Sequence, residues 1–193
     1  MPPGPRRWGP PKEVPAFAAQ LIGLSEEELF ERLSVEHLSR FVSWKLWADG
    51  SRNNGVLRRG LKHPDARVRV VCASILDHFL DDGAIADVVA CLDDPSPQVR
   101  AKALHTLGCD RCKEGASRPG EVAFLPAAIR LARNDPDPVV RVTAVETLAR
   151  CSARHSEEVR ATLAQARDQD PVSRVRKVAD RWAPYGRAQS MCA

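Results

Sequence analysis

Two stretches of the sequence, "DPSPQVRAKALHTL" at residues 94–107 and "DPDPVVRVTAVETL" at residues 135–148, decide the fold. They align without gaps, and each carries Asp-Pro, then Val-Arg, a small residue and Leu at matching positions. Two further stretches follow the same pattern, "HPDARVRVVCASIL" from His63 and "DPVSRVRKVADRWA" from Asp170. The four units are spaced by 31, 41 and 35 residues. A repeat of this length indicates stacked copies of one supersecondary element.

Each unit has the pattern of a helix that begins near its proline. Counted from the arginine, positions −1, +3, +4 and +7 are mostly apolar, and these positions form one stripe of a 3.6-residue helix. Ser96-Pro97 and Asp137-Pro138 place a short polar side chain just ahead of a proline, which a first helical turn tolerates. We therefore expect Ser96 and Asp137 to cap their helices.

Further amphipathic segments lie between and before the units. Ser25 and Glu28 form a capping box that predicts a helix over "SEEELFERL", and Pro126 is a candidate kink in a later helix. A helical hairpin cannot bury its apolar stripe alone, so the pattern predicts an all-α, right-handed solenoid of four to five stacked helix pairs. The helices predicted between the units span about residues 84–92, 121–133 and 157–167.

The predicted solenoid occupies one domain, residues 16–187. Its capping helices cover about residues 16–50, and its repeats cover about residues 53–183. The proline-rich start predicts a disordered tail over residues 1–15, and residues 188–193 form a C-terminal tail. The sequence has neither an apolar stretch of signal-peptide length nor the roughly 20 apolar residues that span a bilayer. We therefore expect a cytoplasmic protein without a membrane partner.

These Asp-Pro, Val-Arg, Ala and Leu units resemble HEAT repeats, in particular the short bacterial HEAT-like type also found in phycobilisome lyase subunits. The resemblance implies a curved scaffold whose second helices line an inner face used for protein partners. It also implies that the Asp of a unit and the Arg six residues later bond across repeats. The first unit departs from the pattern because His63 replaces the Asp, which leaves its contact open. The matching pairs are Asp94 with Arg100, Asp135 with Arg141, and Asp170 with Arg176.

The longest interval between units contains an insertion, "CDRCKEGASRPG", whose glycines and proline indicate a loop. Cys109 and Cys112 form a CxxC pair, and His105 lies one helical turn before Cys109 on the face opposite the apolar stripe. Thiolates and imidazoles are zinc ligands, and a two-residue spacer suits chelation. A tetrahedral zinc site needs four ligands, and these residues supply three. His78 or Cys151 on a neighbouring helix could supply the fourth.

Two other interpretations of the CxxC pair stay open. Cys109 and Cys112 could be ordinary thiols in a loop that ends a helix, or they could be a redox-active pair. Thioredoxin-like chemistry depends on a thiolate stabilised near a helix N-terminus, whereas this pair follows a helix C-terminus, whose dipole opposes a thiolate. The chain has six cysteines and no secretion signal, which predicts reduced thiols rather than a disulfide framework.

The outward-facing positions of the second helices form the candidate partner-binding groove. They predict a non-catalytic protein-interaction scaffold, because their mixed charges suit a protein surface better than a phosphate backbone. The sequence contains no Gly-rich phosphate loop, nucleophile elbow or His-Glu pair, so we predict neither an enzyme nor a cofactor apart from the candidate zinc. We call the following five residues the polar row: Lys102, His105, Thr143, Glu146 and Arg181.

Nucleic acid is the alternative partner. The net charge of +4 is uneven, with basic residues concentrated in residues 1–12 and 173–193, where they could contact phosphates. Trp44 and Trp47 beside Lys45 could stack on bases, although the same spacing in an amphipathic helix is typical of a core. The alternative therefore rests mainly on the two ends of the chain.

Overall fold

A computed structural model describes residues 23–34, 42–43, 45–46, 53–113 and 117–182, and this part of the chain contains helices and no strands. After α1, the helices form four consecutive hairpins, so the protein is an all-α, HEAT-like solenoid. The tails predicted over residues 1–15 and 188–193, with Trp44 and Trp47, lie outside the described residues. The helices are α1 Glu26–Ser34, α2 Asn54–Gly60, α3 Ala66–Phe79, α4 Asp82–Ala90, α5 Pro97–Gly108, α6 Leu125–Asn134, α7 Pro138–Arg150, α8 Glu157–Gln169 and α9 Ser173–Asp180.

The second helices of the hairpins, α3, α5, α7 and α9, pack side by side in one layer. The stripe predicted on each of them is the core. Val99 and Leu104 of α5 and Val140 and Leu148 of α7 are fully buried. Burying a side chain of this size stabilises the fold by about 1.5–3 kcal/mol. The apolar positions −1, +3, +4 and +7 therefore explain why the hairpins stack.

Two of the predicted helix starts require correction. The helix predicted at 121–133 is interrupted, because Glu121–Ala123 forms a separate 3-10 turn and α6 begins at Leu125. Pro126 lies in the first turn of α6, where its missing N–H leaves no bond unmade, and it does not kink the helix. α4 begins at Asp82, slightly earlier than predicted, because the Asp81 carboxylate accepts the Ala84 N–H at 2.8 Å.

Side-chain caps fix several helix starts as predicted. The Ser25 N–H donates to the Glu28 carboxylate at 2.7 Å, and the Glu28 N–H donates to the Ser25 hydroxyl at 3.2 Å. This is the reciprocal capping box of α1. The Asp137 carboxylate accepts the Val139 N–H at 2.7 Å at the start of α7. The prediction for Ser96 is wrong, because its side chain makes no cap hydrogen bond and its hydroxyl lies 2.7 Å from Gln98 Oε1.

An arginine on each of three second helices joins its unit to the next one. In each case Nε and Nη2 donate to both carboxylate oxygens of the next unit's aspartate, at 2.7 to 3.0 Å. The remaining nitrogen, Nη1, donates to backbone carbonyls at the start of the arginine's own unit. The predicted pairs therefore meet only through the aspartate carbonyl, and the side-chain bonds run to the following unit. We call this set the arginine ladder: Arg69 to Asp94, Arg100 to Asp135, and Arg141 to Asp170.

The first unit keeps its contact in the ladder although it lacks the aspartate. Arg69 Nη1 donates to the His63 carbonyl at 2.7 Å, a bond that needs no particular side chain. His63 Nδ1 accepts the Asp65 N–H at 3.1 Å, as an aspartate oxygen does in the later units. The His63 ring packs against Phe30 of α1, with centroids 5.4 Å apart. His63 therefore keeps the hydrogen bond that orders this turn, and its ring contact with Phe30 packs α1 against the first unit.

The ladder predicts a large difference between two arginine substitutions. Arg100 and Asp135 side chains are only 11% and 2% exposed, so Arg100→Ala leaves a buried carboxylate without its partner. We expect the free energy of unfolding to fall by about 3–5 kcal/mol. Arg67 pairs with Asp65 but is 66% exposed, so Arg67→Ala should cost less than about 1 kcal/mol. Urea unfolding of both variants measures the difference, and equal losses would contradict a structural role for the ladder.

The carboxyl group of Asp170 makes the stability of the folded protein depend on pH. Burial favours its neutral form, but hydrogen bonds from Arg141 and the Val172 N–H outweigh burial and hold the pKa of Asp170 below its ordinary value. A depressed carboxyl pKa contributes stability that is present above about pH 4 and lost as the pH falls. We expect Asp170→Asn to be less stable at pH 7 and to lose less further stability on acidification. Parallel curves of unfolding free energy against pH for wild type and variant would refute this.

Candidate functional site

The polar row lies along the layer of second helices. Lys102 and His105 belong to α5, Thr143 and Glu146 belong to α7, and Arg181 directly follows α9. Arg181 is exposed and the other four are partly exposed. Because they occupy equivalent positions opposite the buried stripe, they lie on the same side of neighbouring helices. The row is therefore an accessible strip of mixed charge, and Thr143 bonds internally to the Val139 carbonyl.

The three predicted metal ligands come together at one edge of this strip. Ligand atoms of His105, Cys109 and Cys112 all lie within 4.8 Å of one another. The two sulfurs are 3.2 Å apart, and Cys112 Sγ lies 3.7 Å from His105 Nε2. α5 ends at Gly108, and a 3-10 turn over Asp110–Cys112 brings the second thiol back towards the helix. All three residues are partly buried, so the site opens to solvent on one side.

Neither of the predicted fourth ligands belongs to this cluster. Cys151 is buried at the end of α7, and its thiol donates to the Leu148 carbonyl at 3.0 Å. The His78 ring packs against Phe79, with centroids 6.4 Å apart. His78 occupies the same position in its unit as Cys109, nine residues after the arginine. Neighbouring second helices are offset along their length, so residues at the same position do not face each other. His105, five residues after its arginine, contacts a residue eight residues after the arginine of α3.

The cluster instead contacts Asp77 of α3, which the sequence analysis missed. Asp77 Oδ2 lies 3.1 Å from His105 Nε2, and the Asp77 side chain is only 3% exposed. Among the described residues, nothing gives Asp77 Oδ1 a hydrogen-bond partner. One signal could have found it. Asp77 lies at position +8 of its unit, where the next two units have Gly108 and Ala149, so the repeat itself gives no reason for an acid there.

The insertion is attached to hairpins on both sides of it. The Ser117 N–H donates to the Leu80 carbonyl at 2.8 Å, which ties the loop to the end of α3. The Glu121 carboxylate accepts bonds from Ser152 and the Ala153 N–H in the connection between α7 and α8. Burial opposes ionisation of Glu121, but these bonds outweigh it and lower the pKa of the carboxyl. Ser117 and Glu121 therefore anchor the C-terminal end of the insertion to the neighbouring hairpins.

The surroundings of the cluster favour a protonated Cys112 thiol when no metal is bound. Burial, followed by the Cys109 thiol and the Asp77 carboxylate, raises the pKa of Cys112 to about 12. Burial also opposes ionisation of Asp77, but His105 and Lys102 outweigh it and lower the pKa of Asp77. A redox-active CxxC needs a thiolate at neutral pH. The protein groups around Cys112 act in the opposite direction.

The comparison with known families agrees with the geometry. Residues 124–155 match the HEAT repeat, and this segment contains α6, α7 and the turn that follows them. The match supports a HEAT-repeat protein, and HEAT repeats generally mediate protein–protein interaction. It does not distinguish the phycobilisome-lyase type from other HEAT repeats. No curated protein matches the sequence. None of the described helices is long and apolar enough to cross a membrane.

Gly108 provides a test of how tightly the cluster is positioned. A Cβ at this position would lie 2.5 Å from Thr147 Cγ2 on α7, and buried Thr147 is β-branched and therefore stiff. We expect Gly108→Ala to lower the free energy of unfolding by about 1–3 kcal/mol through overpacking. Gly120 has open space around it, so Gly120→Ala should change stability by less than about 0.5 kcal/mol. Thermal unfolding distinguishes the two, and a neutral Gly108→Ala would show that α5 and α7 are not held at this distance.

Proposed function

We propose that this protein is a non-catalytic cytoplasmic scaffold that binds another protein along the polar row. Its repeats are of the short bacterial, phycobilisome-lyase-like kind, which the unit spacings of 31 and 35 residues support. The observation that carries the proposal is the placement of the row. Its five side chains are accessible on consecutive second helices, and the arginine ladder holds those helices in a fixed order.

The ladder makes the proposed surface pre-organised. Bidentate arginine–carboxylate bonds restrict both the separation and the angle between neighbouring units. A surface that is already ordered loses less conformational entropy when it binds, and so retains more of its contact energy as affinity. A row with Lys102, Glu146 and Arg181 also presents charges of both signs. Such a pattern selects a partner by complementary charge and disfavours a uniformly charged one.

Nucleic acid fits the row less well for the same reason. A phosphate backbone requires concentrated lysine and arginine, whereas Glu146 interrupts the basic residues of the row. At the C-terminal end, Arg174, Lys177 and Arg181 are exposed, but the Arg176 guanidinium donates to the Asp170 carbonyl. The proposal therefore assigns the row to protein and treats nucleic acid as the competing outcome.

The proposal predicts that reversing two charges in the row abolishes partner capture. Glu146→Arg combined with Arg181→Glu preserves the net charge while inverting the local pattern, so specific binding should fall at least about 10-fold. The measurement is a tagged pull-down from native cells with quantitative mass spectrometry. The matched control is Glu157→Arg with Arg160→Glu, two exposed residues of α8, a first helix, and it should retain the same partners.

Two outcomes would contradict the proposal. In the first, the row variant still captures the partners and the α8 control variant does not, which would mean that binding occurs on the first helices. A salt-sensitive electrophoretic shift of nucleic acid, with no protein partner depleted by the row variant, would favour the alternative. Circular dichroism of each variant separates a loss of binding from a loss of fold.

A further inference from the structure

We propose that Asp77, His105, Cys109 and Cys112 form a four-ligand zinc site that fastens the insertion to α3 and α5. The site contains two thiolates, one imidazole and one carboxylate, each of which is a common zinc ligand. The four residues come from three parts of the fold: α3, α5 and the loop that follows α5. The site shares His105 with the polar row, but the inference does not require that the row binds a partner.

Three of the six separations between the four ligand atoms resemble the edges of a zinc tetrahedron. Asp77 lies outside the group whose ligand atoms are all within 4.8 Å of one another, so its side chain must move towards the cluster when the metal binds. With Zn–S near 2.3 Å and Zn–N near 2.0–2.1 Å, ideal edges are about 3.8 Å between sulfurs and about 3.6 Å between sulfur and nitrogen. The corresponding distances are 3.2 Å for Cys109 to Cys112 and 3.7 Å for Cys112 to His105. An edge between nitrogen and oxygen is about 3.3 Å. The Asp77 to His105 distance is 3.1 Å.

Asp77 is the residue that completes the set. Three ligands alone leave an open tetrahedral position, and Asp77 lies against His105 with one carboxylate oxygen unpaired among the described residues. A buried polar atom without a hydrogen-bond partner is destabilising, and more so when the group is charged. A metal ion at this point would satisfy the carboxylate. The repeat does not otherwise require an acid at this position, since Gly108 and Ala149 are its equivalents.

The charges around the cluster also suit a divalent cation. Two thiolates and one carboxylate with a zinc ion leave a net charge of −1. Lys113 is buried beside them and its ammonium donates to the Cys109 carbonyl at 2.7 Å, so a compensating positive charge is present. Lys102 also interacts favourably with the Asp77 carboxylate.

Zinc binding requires a defined movement of protons. Each thiol gives up one proton to become a thiolate ligand, so two protons are released. As a ligand the imidazole is neutral: its Nε2 lone pair binds the metal, and the ring proton lies on Nδ1. Asp77 Oδ2 then changes from the hydrogen-bond acceptor of His105 to a ligand of the same ion. With four protein ligands the site is closed, which is typical of structural rather than catalytic zinc.

The test uses the full chain, reduced and stripped of metal, then titrated with Zn²⁺ and separately with Co²⁺. We expect one zinc per chain by elemental analysis, and release of about two protons by calorimetry in buffers of different ionisation enthalpy. X-ray absorption should show two sulfur and two nitrogen or oxygen ligands. Asp77→Ala and Cys112→Ser should each weaken zinc binding at least about 100-fold, because even outer-shell substitutions cost 10- to 100-fold.

The matched controls are His78→Ala and Cys151→Ser, which remove the nearby ligand types that the structure excludes from the cluster. Both should bind zinc as wild type does. Less than a tenth of an equivalent of zinc on wild type, or a Cys109–Cys112 disulfide formed in its place, would overturn the site. Undiminished affinity in Asp77→Ala would overturn the assignment of Asp77. If a variant fails to fold, the ligand count from wild-type X-ray absorption still decides, since four sulfurs or none would contradict the proposal.

Discussion

The bond from an arginine of one unit to an aspartate of the next is the interaction on which the rest of this structure depends. Apolar stripes alone allow neighbouring helices to slide or rotate with little change in buried area, because hydrophobic contact is not directional. Arg100 and Asp135 add two parallel, charge-assisted bonds in a nearly dry setting, and these bonds fix the register. The third nitrogen of Arg100 orders the turn before its own helix. Each arginine therefore sets both a turn and a stacking contact.

The fold was largely predictable because its information is local and repeated. The Asp-Pro and Val-Arg pattern indicated where second helices begin, and the 3.6-residue stripe indicated which side chains are buried. The ladder was predictable in its residues but not in its pairing, since the aspartate that each arginine binds depends on how units stack. The predictions for Ser96 and Pro126 are wrong for local reasons. The Asp94 carboxylate orders the turn before α5, and a 3-10 turn over Glu121–Ala123 precedes α6, so that Pro126 lies in the first turn of that helix.

The candidate site divides in the same way. His105, Cys109 and Cys112 were found from sequence because a CxxC pair and a residue one helical turn earlier are short-range patterns. Asp77 could not be placed with them, because its contact with His105 depends on the offset between α3 and α5. The available signal was that an acidic residue, Asp77, stands where the next two units have small residues. The insertion thus lies beside the accessible row, where a bound metal would also fix the orientation of His105.

The most direct test of this account is hydrogen exchange, measured by mass spectrometry on wild type and Arg100→Ala under native conditions. If the ladder couples successive units, amides throughout α5 and α7 should lose protection together when Arg100 is removed, because the two helices then open as one less stable unit. The first helix α8, whose N-terminal residues Glu157 and Glu158 are exposed, serves as an internal reference for local fraying. Faster exchange confined to the first turn of α5, with α7 unchanged, would contradict the account.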